Sequence, residues 1–157
     1  MNKISYEQAL NRLSVYCSRA ERCVFDVRRK MDEWEIPVEK QNQIIQKLQK
    51  EKFIDDERYC RAFVNDKTLY NRWGFHKIRF ELKRKQIPDS IISEALKNID
   101  FEENHERLKL LIENKMKSVK GKNERDIRYK LMRFAFGRGF MKDDIEKILD
   151  SIPFRFT

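Results

Sequence analysis

The amino-acid sequence predicts an all-α protein, an elongated array of three tandem three-helix repeats. Three observations predict it: a scarcity of residues that break helices, apolar residues at helical spacing, and a pattern that recurs along the chain. The 157 residues include only four glycines and three prolines, which are too few for the turns of a sandwich, a barrel or a doubly wound sheet. Hydrophobic residues make up 40% of the chain and charged residues 39%, so each helix has apolar side chains for a core and a wide solvated face.

The first repeat, residues 1–54, is predicted to contain three helices. Ser5 and Gln8 have the spacing of a capping box, which predicts a helix over residues 6–19. Beyond this helix, apolar residues recur every three or four positions, as they do on the buried face of a helix. They define the second and third helices, before and after Pro37: Val24, Val27 and Met31, then Ile44, Ile45 and Leu48.

The second repeat, residues 55–99, copies the register of the first. Its Ile87-Pro88 pair stands where the first repeat has Ile36-Pro37, and proline suits the start of a helix because the nitrogen there needs no hydrogen-bond partner. Apolar residues before and after this pair continue the pattern: Phe75, Ile78 and Leu82, then Ile91, Ile92, Ala95 and Leu96. A register that is kept over so many positions indicates a repeated unit.

The third repeat, residues 100–157, keeps the pattern more loosely. Ile127 and Leu131 stand where the second repeat has Ile78 and Leu82. The repeat closes on Ile145, Ile148 and Leu149, after an insertion around residues 137–140. Nine helices with a period of roughly 45–50 residues are typical of a stacked helical array, which offers a long continuous surface rather than one deep pocket.

Positive charge is concentrated in two runs of the sequence. The net charge of +9 favours a polyanionic partner. Residues 72–85 contain six basic residues and one acidic residue, and residues 115–138 contain nine and two. Because acidic residues are scarce in these runs, neutralisation between positions i and i+4 is expected to fail, although a merely solvated face stays an alternative. The candidate contact residues are Arg72, Lys77, Arg79, Lys83, Arg84, Lys85, Arg125, Arg128, Lys130 and Arg133.

Aromatic residues and a lysine-rich segment accompany the basic runs. The interleaved aromatics are Trp73, Phe80, Tyr129, Phe134 and Phe136. Exposed rings could stack on nucleic-acid bases, but aromatics at helical spacing are more often core residues, and we expect these to be core. Lysines also surround Gly121 in a predicted loop that is either a flexible linker or a phosphate contact with steep salt dependence; they are Lys115, Lys117, Lys120 and Lys122.

No residue pattern predicts catalysis, a cofactor or a metal site. Asp55-Asp56-Glu57 and Asp143-Asp144 stand where helices begin, so we expect them to cap N–H groups and to face the helix dipole. His76 and His105 have no second ligand at helical spacing, and the cysteines are expected to be small buried residues. Three cysteines without a CxxC pair, and no apolar stretch of about 20 residues, indicate a reduced, cytoplasmic protein without a membrane span.

Four segments carry the motifs of a known family. They are LNRLSVYCSRAERCVFDVRRKM (residues 10–31), FIDDERYC (residues 53–60), WGFHKIRFEL (residues 73–82), and Arg138-Gly139-Phe140 followed by Ile145. These segments resemble the RecX family, the bacterial regulators of the RecA recombinase. The sequence departs from the family pattern at Cys23 and Asp26, which replace Ser and Glu, and at Cys60, which replaces Ala. Because Ser is the better helix cap, the second helix is expected to begin differently from its counterpart in the family.

The resemblance implies a function as well as a fold. It implies tandem three-helix repeats that lie in the groove of a RecA filament on single- or double-stranded DNA and contact DNA phosphates directly or within the filament. Such a protein inhibits the recombinase, ATPase and co-protease activities of RecA, as a monomer without catalysis, cofactor or membrane. The residues alone leave two alternatives open: a stand-alone nucleic-acid-binding helical module, and a helical adaptor for an acidic protein partner.

Overall fold

The computed structural model describes residues 3–154, and over this range it contains nine α-helices and no β-strand. The predicted all-α class is confirmed. The helices are α1 (Tyr6–Arg19), α2 (Val24–Glu33), α3 (Val38–Lys50), α4 (Asp56–Leu69), α5 (Phe75–Arg84), α6 (Asp89–Lys97), α7 (Phe101–Met116), α8 (Glu124–Gly137) and α9 (Lys142–Ser151). None of these nine helices is long and apolar enough to cross a membrane. The repeat boundaries stay predictions, and their outer limits, residues 1 and 157, lie outside the described range.

Polar side chains satisfy the free backbone N–H groups at several helix starts. Before α1, Ser5 Oγ accepts a hydrogen bond from Gln8 N at 3.1 Å and Gln8 Oε1 accepts one from Ser5 N at 3.0 Å, which confirms the capping box. Asp55 Oδ1 accepts two backbone hydrogen bonds at the start of α4, at 3.0 and 3.1 Å. Asp143 and Asp144 lie in the first turn of α9, where they face the helix dipole, but the N-cap residue of α9 makes no side-chain hydrogen bond.

The start of α2 is capped by two carboxylates. Asp26 Oδ2 accepts a hydrogen bond from Cys23 N at 3.2 Å, and Asp56 Oδ1 accepts one from Val24 N at 3.0 Å. Burial raises the pKa of the Asp56 carboxyl group. Asp56 therefore belongs to the start of α2 as well as to the first turn of α4, and α2 begins at Val24 without a serine cap.

The three cysteines are free thiols. Cys23 and Cys60 are buried and Cys17 is half-buried, so the prediction of small buried residues is confirmed for Cys23 and Cys60. Burial raises the pKa of Cys17 and Cys60 to about 11 and that of Cys23 to about 12. Because the thiolate is the reactive form, these side chains act as small apolar residues at neutral pH.

The chain divides into two compact units, and a separate core cluster lies in each. Of the described residues, the first unit takes in residues 3–63 together with Leu82–Ile92, and the second takes in Val64–Glu81 together with residues 93–154. A core cluster in the first unit is formed by residues of α1, α2, α3 and the loop after α3: Ala9, Leu13, Val27, Met31, Ile44, Ile45, Leu48 and Ile54. A core cluster in the second is formed by residues of α7, α8 and α9 and of the loops after α8 and α9: Leu108, Leu111, Ile112, Leu131, Ala135, Phe140, Ile145, Ile148, Leu149 and Ile152.

A polar side chain lies buried within the first unit. Gln41 in α3 is only 2% exposed. Its Nε2 donates to Asp32 Oδ1 at 2.7 Å and to the Ile36 carbonyl at 2.9 Å. Ile36 follows Glu35, whose φ of 55° marks a tight turn. The Gln41 side chain thus fixes the connection between α2 and α3.

Gln41→Met should destabilise the protein by about 1–3 kcal/mol, because the Ile36 carbonyl and the Asp32 carboxylate lose the donor that the buried Gln41 side chain supplies. Methionine keeps the length and the helix propensity of glutamine. Urea unfolding measures the loss. Gln43→Met, at an exposed position of the same helix, is the control and should change stability by less than about 0.5 kcal/mol. Equal stabilities of the two variants would show that Gln41 does not hold the turn.

Candidate interaction surfaces

In the first unit, three candidate cations lie at the end of α5 and directly after it. Lys83 Nζ lies 3.5 Å from Asp89 Oδ1, and both side chains are exposed. Lys85 Nζ lies 2.5 Å from Asp26 Oδ1, and the Asp26 side chain is only 11% exposed. Arg84 is exposed. Both lysines therefore have acidic partners, which lie outside the run in sequence and reach the lysines when the chain folds.

Three candidate contact residues of the second unit form hydrogen bonds or ion pairs within the protein. Arg79 is half-buried and donates to a serine hydroxyl of α6 at 3.2 Å. Arg128 pairs with Asp150 of α9, and Lys130 Nζ lies 3.4 Å from Asp126 Oδ2. A backbone hydrogen bond from the α7–α8 loop and the charge of Lys130 lower the pKa of Asp126. The expected failure of i, i+4 neutralisation is wrong at this position, since Asp126 and Lys130 are such a pair.

Two glycines join the start of α5 to the turn after α8 inside the second unit. Gly74 N donates to the Arg138 carbonyl at 2.7 Å, and His76 N donates to the Gly139 carbonyl at 3.1 Å. These carbonyls satisfy N–H groups that would otherwise be free at the helix start. Gly139 has a φ of +95°, and a β-carbon on it would lie 2.4 Å from Lys77 Cβ. Only glycine allows the two backbones to approach so closely.

Trp73 and several cations lie beside this glycine junction. Lys77 Nζ is 4.6 Å from the centroid of the Trp73 ring. Arg138 donates to the Asn71 carbonyl at 3.2 Å. Arg72, which lies between Asn71 and Trp73 in the sequence, is exposed and has a φ of 54°. The junction therefore presents Arg72 and Lys77 next to a half-buried indole ring.

Three of the five interleaved aromatics are exposed, so their expected place in the core is wrong. Phe80 is 62% exposed, Tyr129 59% and Phe136 60%. Trp73 and Phe134 are half-buried. Aromatic rings on the solvated side of basic helices are therefore a feature of this surface that sequence reasoning missed.

The register of α8 explains where its exposed rings lie. At about 100° per residue, Tyr129, Arg133 and Phe136 fall on the side of the helix opposite Leu131 and Ala135, which are fully buried. The Arg133 guanidinium lies 5.8 Å from the centroid of the Tyr129 ring. In the sequence, the spacing from Leu131 places Tyr129 and Phe136 on a separate face of α8, but it does not say which of the two faces is buried.

The predicted lysine-rich loop lies between α7 and α8. Lys117, Lys120 and Lys122 are exposed in it, whereas Lys115 belongs to the last turn of α7. Gly137, where the predicted insertion around residues 137–140 begins, is the last residue of α8. No group of three or more His, Cys, Asp or Glu side chains within residues 3–154 could hold a metal ion.

The fold and these surfaces define an all-α repeat protein whose basic and aromatic faces are of the kind that bind other macromolecules. Two family models match the chain: RecX, second three-helix domain, over residues 55–96, and RecX, third three-helix domain, over residues 102–149. The chain belongs to the RecX family. The predicted three-helix repeats and the predicted family are thereby confirmed.

Relatives of this chain include proteins and solved structures named RecX. The regulatory protein RecX of Clostridium tetani (strain Massachusetts / E88) is 34% identical over 112 residues, which cover 69% of this chain and 50% of that protein. The regulatory protein RecX of Prosthecochloris aestuarii (strain DSM 271 / SK 413) is 29% identical over 152 residues, which cover 97% and 98%. The crystal structure of RecX from Lactobacillus salivarius matches with a TM-score of 0.79 at 25% identity, over 94% of this chain and 97% of that one. The chain thus spans half the length of the first relative and nearly all of the second.

Proposed function

We propose that this chain binds the RecA filament on DNA and lowers the recombinase, ATPase and co-protease activities of RecA, without catalysis of its own. Membership in the RecX family carries the proposal, since the relatives are named regulatory proteins and the family resemblance implies RecA as the target. We further propose that the chain acts as a monomer in the cytoplasm.

The charges of the second unit support this proposal. A filament on DNA presents phosphates beside protein, so its partner needs cations that its own carboxylates leave available. Arg72, Lys77, Arg125 and Arg133 form no ion pair within residues 3–154. They are the members of the candidate set that we assign to the filament contact, whereas Lys85, Arg128 and Lys130 serve the fold.

The RecA ATPase on single-stranded DNA tests the proposed function directly. Amounts of this chain well below the RecA concentration should lower ATP turnover at low salt, because a filament binder acts on many RecA subunits at once. Strand exchange and co-protease activity should fall together with it. Unchanged turnover at low salt would overturn the proposal.

Arg72→Glu combined with Lys77→Glu should raise the concentration needed for half-inhibition by about tenfold or more, because reversed charges beside a polyanion repel it. The measurement is a titration of RecA ATPase with each variant, after circular dichroism has shown that its helices are intact. Lys40→Glu combined with Arg61→Glu is the matched control, since both residues are exposed and the net charge changes equally. If the two double variants weaken inhibition to the same degree, net charge alone matters and the position of Arg72 and Lys77 does not.

A further inference from the structure

The exposed side of α8 carries two cations and two rings in alternation. Arg125, Tyr129, Arg133 and Phe136 follow one another at four-, four- and three-residue spacing, so they fall within one narrow arc of the helix. With a rise of about 1.5 Å per residue, this arc is about 17 Å long. We call these four residues the α8 stripe.

The fold makes little use of the α8 stripe. The basic residues of α8 that pair with carboxylates, Arg128 and Lys130, lie outside it. Arg125 and Arg133 form no ion pair in the described chain. Phe134 packs against the core of the second unit, whereas the two rings of the stripe are 59% and 60% exposed. Two large rings and two unneutralised cations are thus presented to solvent on the same line.

We infer that the α8 stripe binds single-stranded nucleic acid, with the rings of Tyr129 and Phe136 stacked on bases and Arg125 and Arg133 on phosphates. The order cation, ring, cation, ring matches the alternation of phosphates and bases along a strand. Aromatic rings beside cations are the groups that bind single strands without sequence preference. A duplex offers the same phosphates but keeps its bases stacked inside, so the rings have nothing to engage.

This assignment gives the two kinds of residue separable tasks. Base stacking depends on the ring and is insensitive to salt, whereas the phosphate contacts release counterions and weaken as salt rises. The strand contact requires only this chain, so it is independent of the proposed action on RecA and can fail or hold separately from it.

The test is fluorescence anisotropy of the full chain with three labelled oligonucleotides of equal length: a thymidine strand, the same strand without bases, and a duplex. The intact chain should bind the thymidine strand about 25-fold or more tighter than the strand without bases, since two stacked bases contribute about fivefold or more each. Tyr129→Leu and Phe136→Leu should each weaken binding of the thymidine strand about fivefold or more, and leave the strand without bases unaffected. Leucine keeps an apolar side chain and favours the helix, so only the ring is lost.

Arginine variants probe the other half of the stripe. Arg125→Gln and Arg133→Gln should weaken binding of both single strands, and each should lower the slope of log K against log salt by roughly 0.7. Phe101→Leu is the ring control. Phe101 is 69% exposed, but two glutamates follow it on α7, so its neighbours in sequence are acidic rather than basic. Arg61→Gln is the arginine control, at an exposed position of α4.

Three outcomes would overturn the inference. One is equal binding of the strands with and without bases. Another is a loss in the ring variants no larger than in Phe101→Leu. The third is ring variants that bind the thymidine strand normally yet act less on RecA ATPase, which would make the α8 stripe a protein-docking face.

Discussion

Gly139→Ala should destabilise the folded protein by about 2–5 kcal/mol, through backbone strain at positive φ and steric overlap. The φ of Gly139 is +95°, and an added β-carbon would lie 2.4 Å from Lys77 Cβ and 2.6 Å from Lys77 N. Relief requires the turn after α8 to move away from α5. Such a movement breaks the hydrogen bonds that the Arg138 and Gly139 carbonyls accept from Gly74 and His76.

Gly137→Ala is the matched control, two residues earlier. A β-carbon on Gly137 would meet no atom within 4 Å, and the residue is the last in α8. Alanine should therefore stabilise the protein by up to about 1 kcal/mol, because glycine is the poorer helix former. Urea or thermal unfolding of the two variants gives shifts of opposite sign. A neutral Gly139→Ala would show that the junction is not tightly packed.

Much of the fold could be predicted from the sequence because its signals are local. The capping box of Ser5 and Gln8 fixes the start of α1, and the proline pairs fix the starts of α3 and α6. Apolar residues at helical spacing, such as Ile44 and Leu48, fall on the buried face as expected. Each of these patterns involves residues within one or two helical turns, so the chain's final packing is not needed to read them.

The ion pairs that Lys85 and Arg128 form could not be predicted, because their partners are distant in sequence. Lys85 meets Asp26, and Arg128 meets Asp150, only once the helices have packed. The role of Gln41 could not be predicted either. In the sequence it resembles any other polar residue of α3, and only the folded chain brings the Ile36 carbonyl to its side chain. A composition count of charges therefore overstated how many cations are left for a partner.

The exposed aromatics show a different limit. Helical spacing says which residues share a face, but not which of two faces is buried when both carry large apolar groups. On α8, Leu131 and Ala135 pack inward, and this leaves Tyr129 and Phe136 outside. Only the packing of α7 and α9 against α8 shows which side of α8 is buried. Because the other side carries rings, the candidate binding surface consists of cations and rings rather than of cations alone.

Lys85→Met should destabilise the protein by about 1–3 kcal/mol, less than the loss for a fully buried pair because the lysine is partly exposed. The Asp26 side chain is only 11% exposed and would lose its cationic partner. Lys83→Met is the control, because its pair with Asp89 is exposed on both sides and such pairs contribute about 0–1 kcal/mol.

A double-mutant cycle separates the pair itself from other effects of each substitution. With Asp26→Asn, which keeps an acceptor for the Cys23 N–H, the coupling to Lys85 should be about 1 kcal/mol or more, whereas the coupling of Lys83 to Asp89 should be below about 0.5 kcal/mol. Couplings of equal size would contradict the difference in burial. The distinction bears on function as well: if Lys85 holds the fold, a weaker action of a Lys85 variant on RecA must follow its loss of stability, and it should be restored at temperatures where the variant is fully folded.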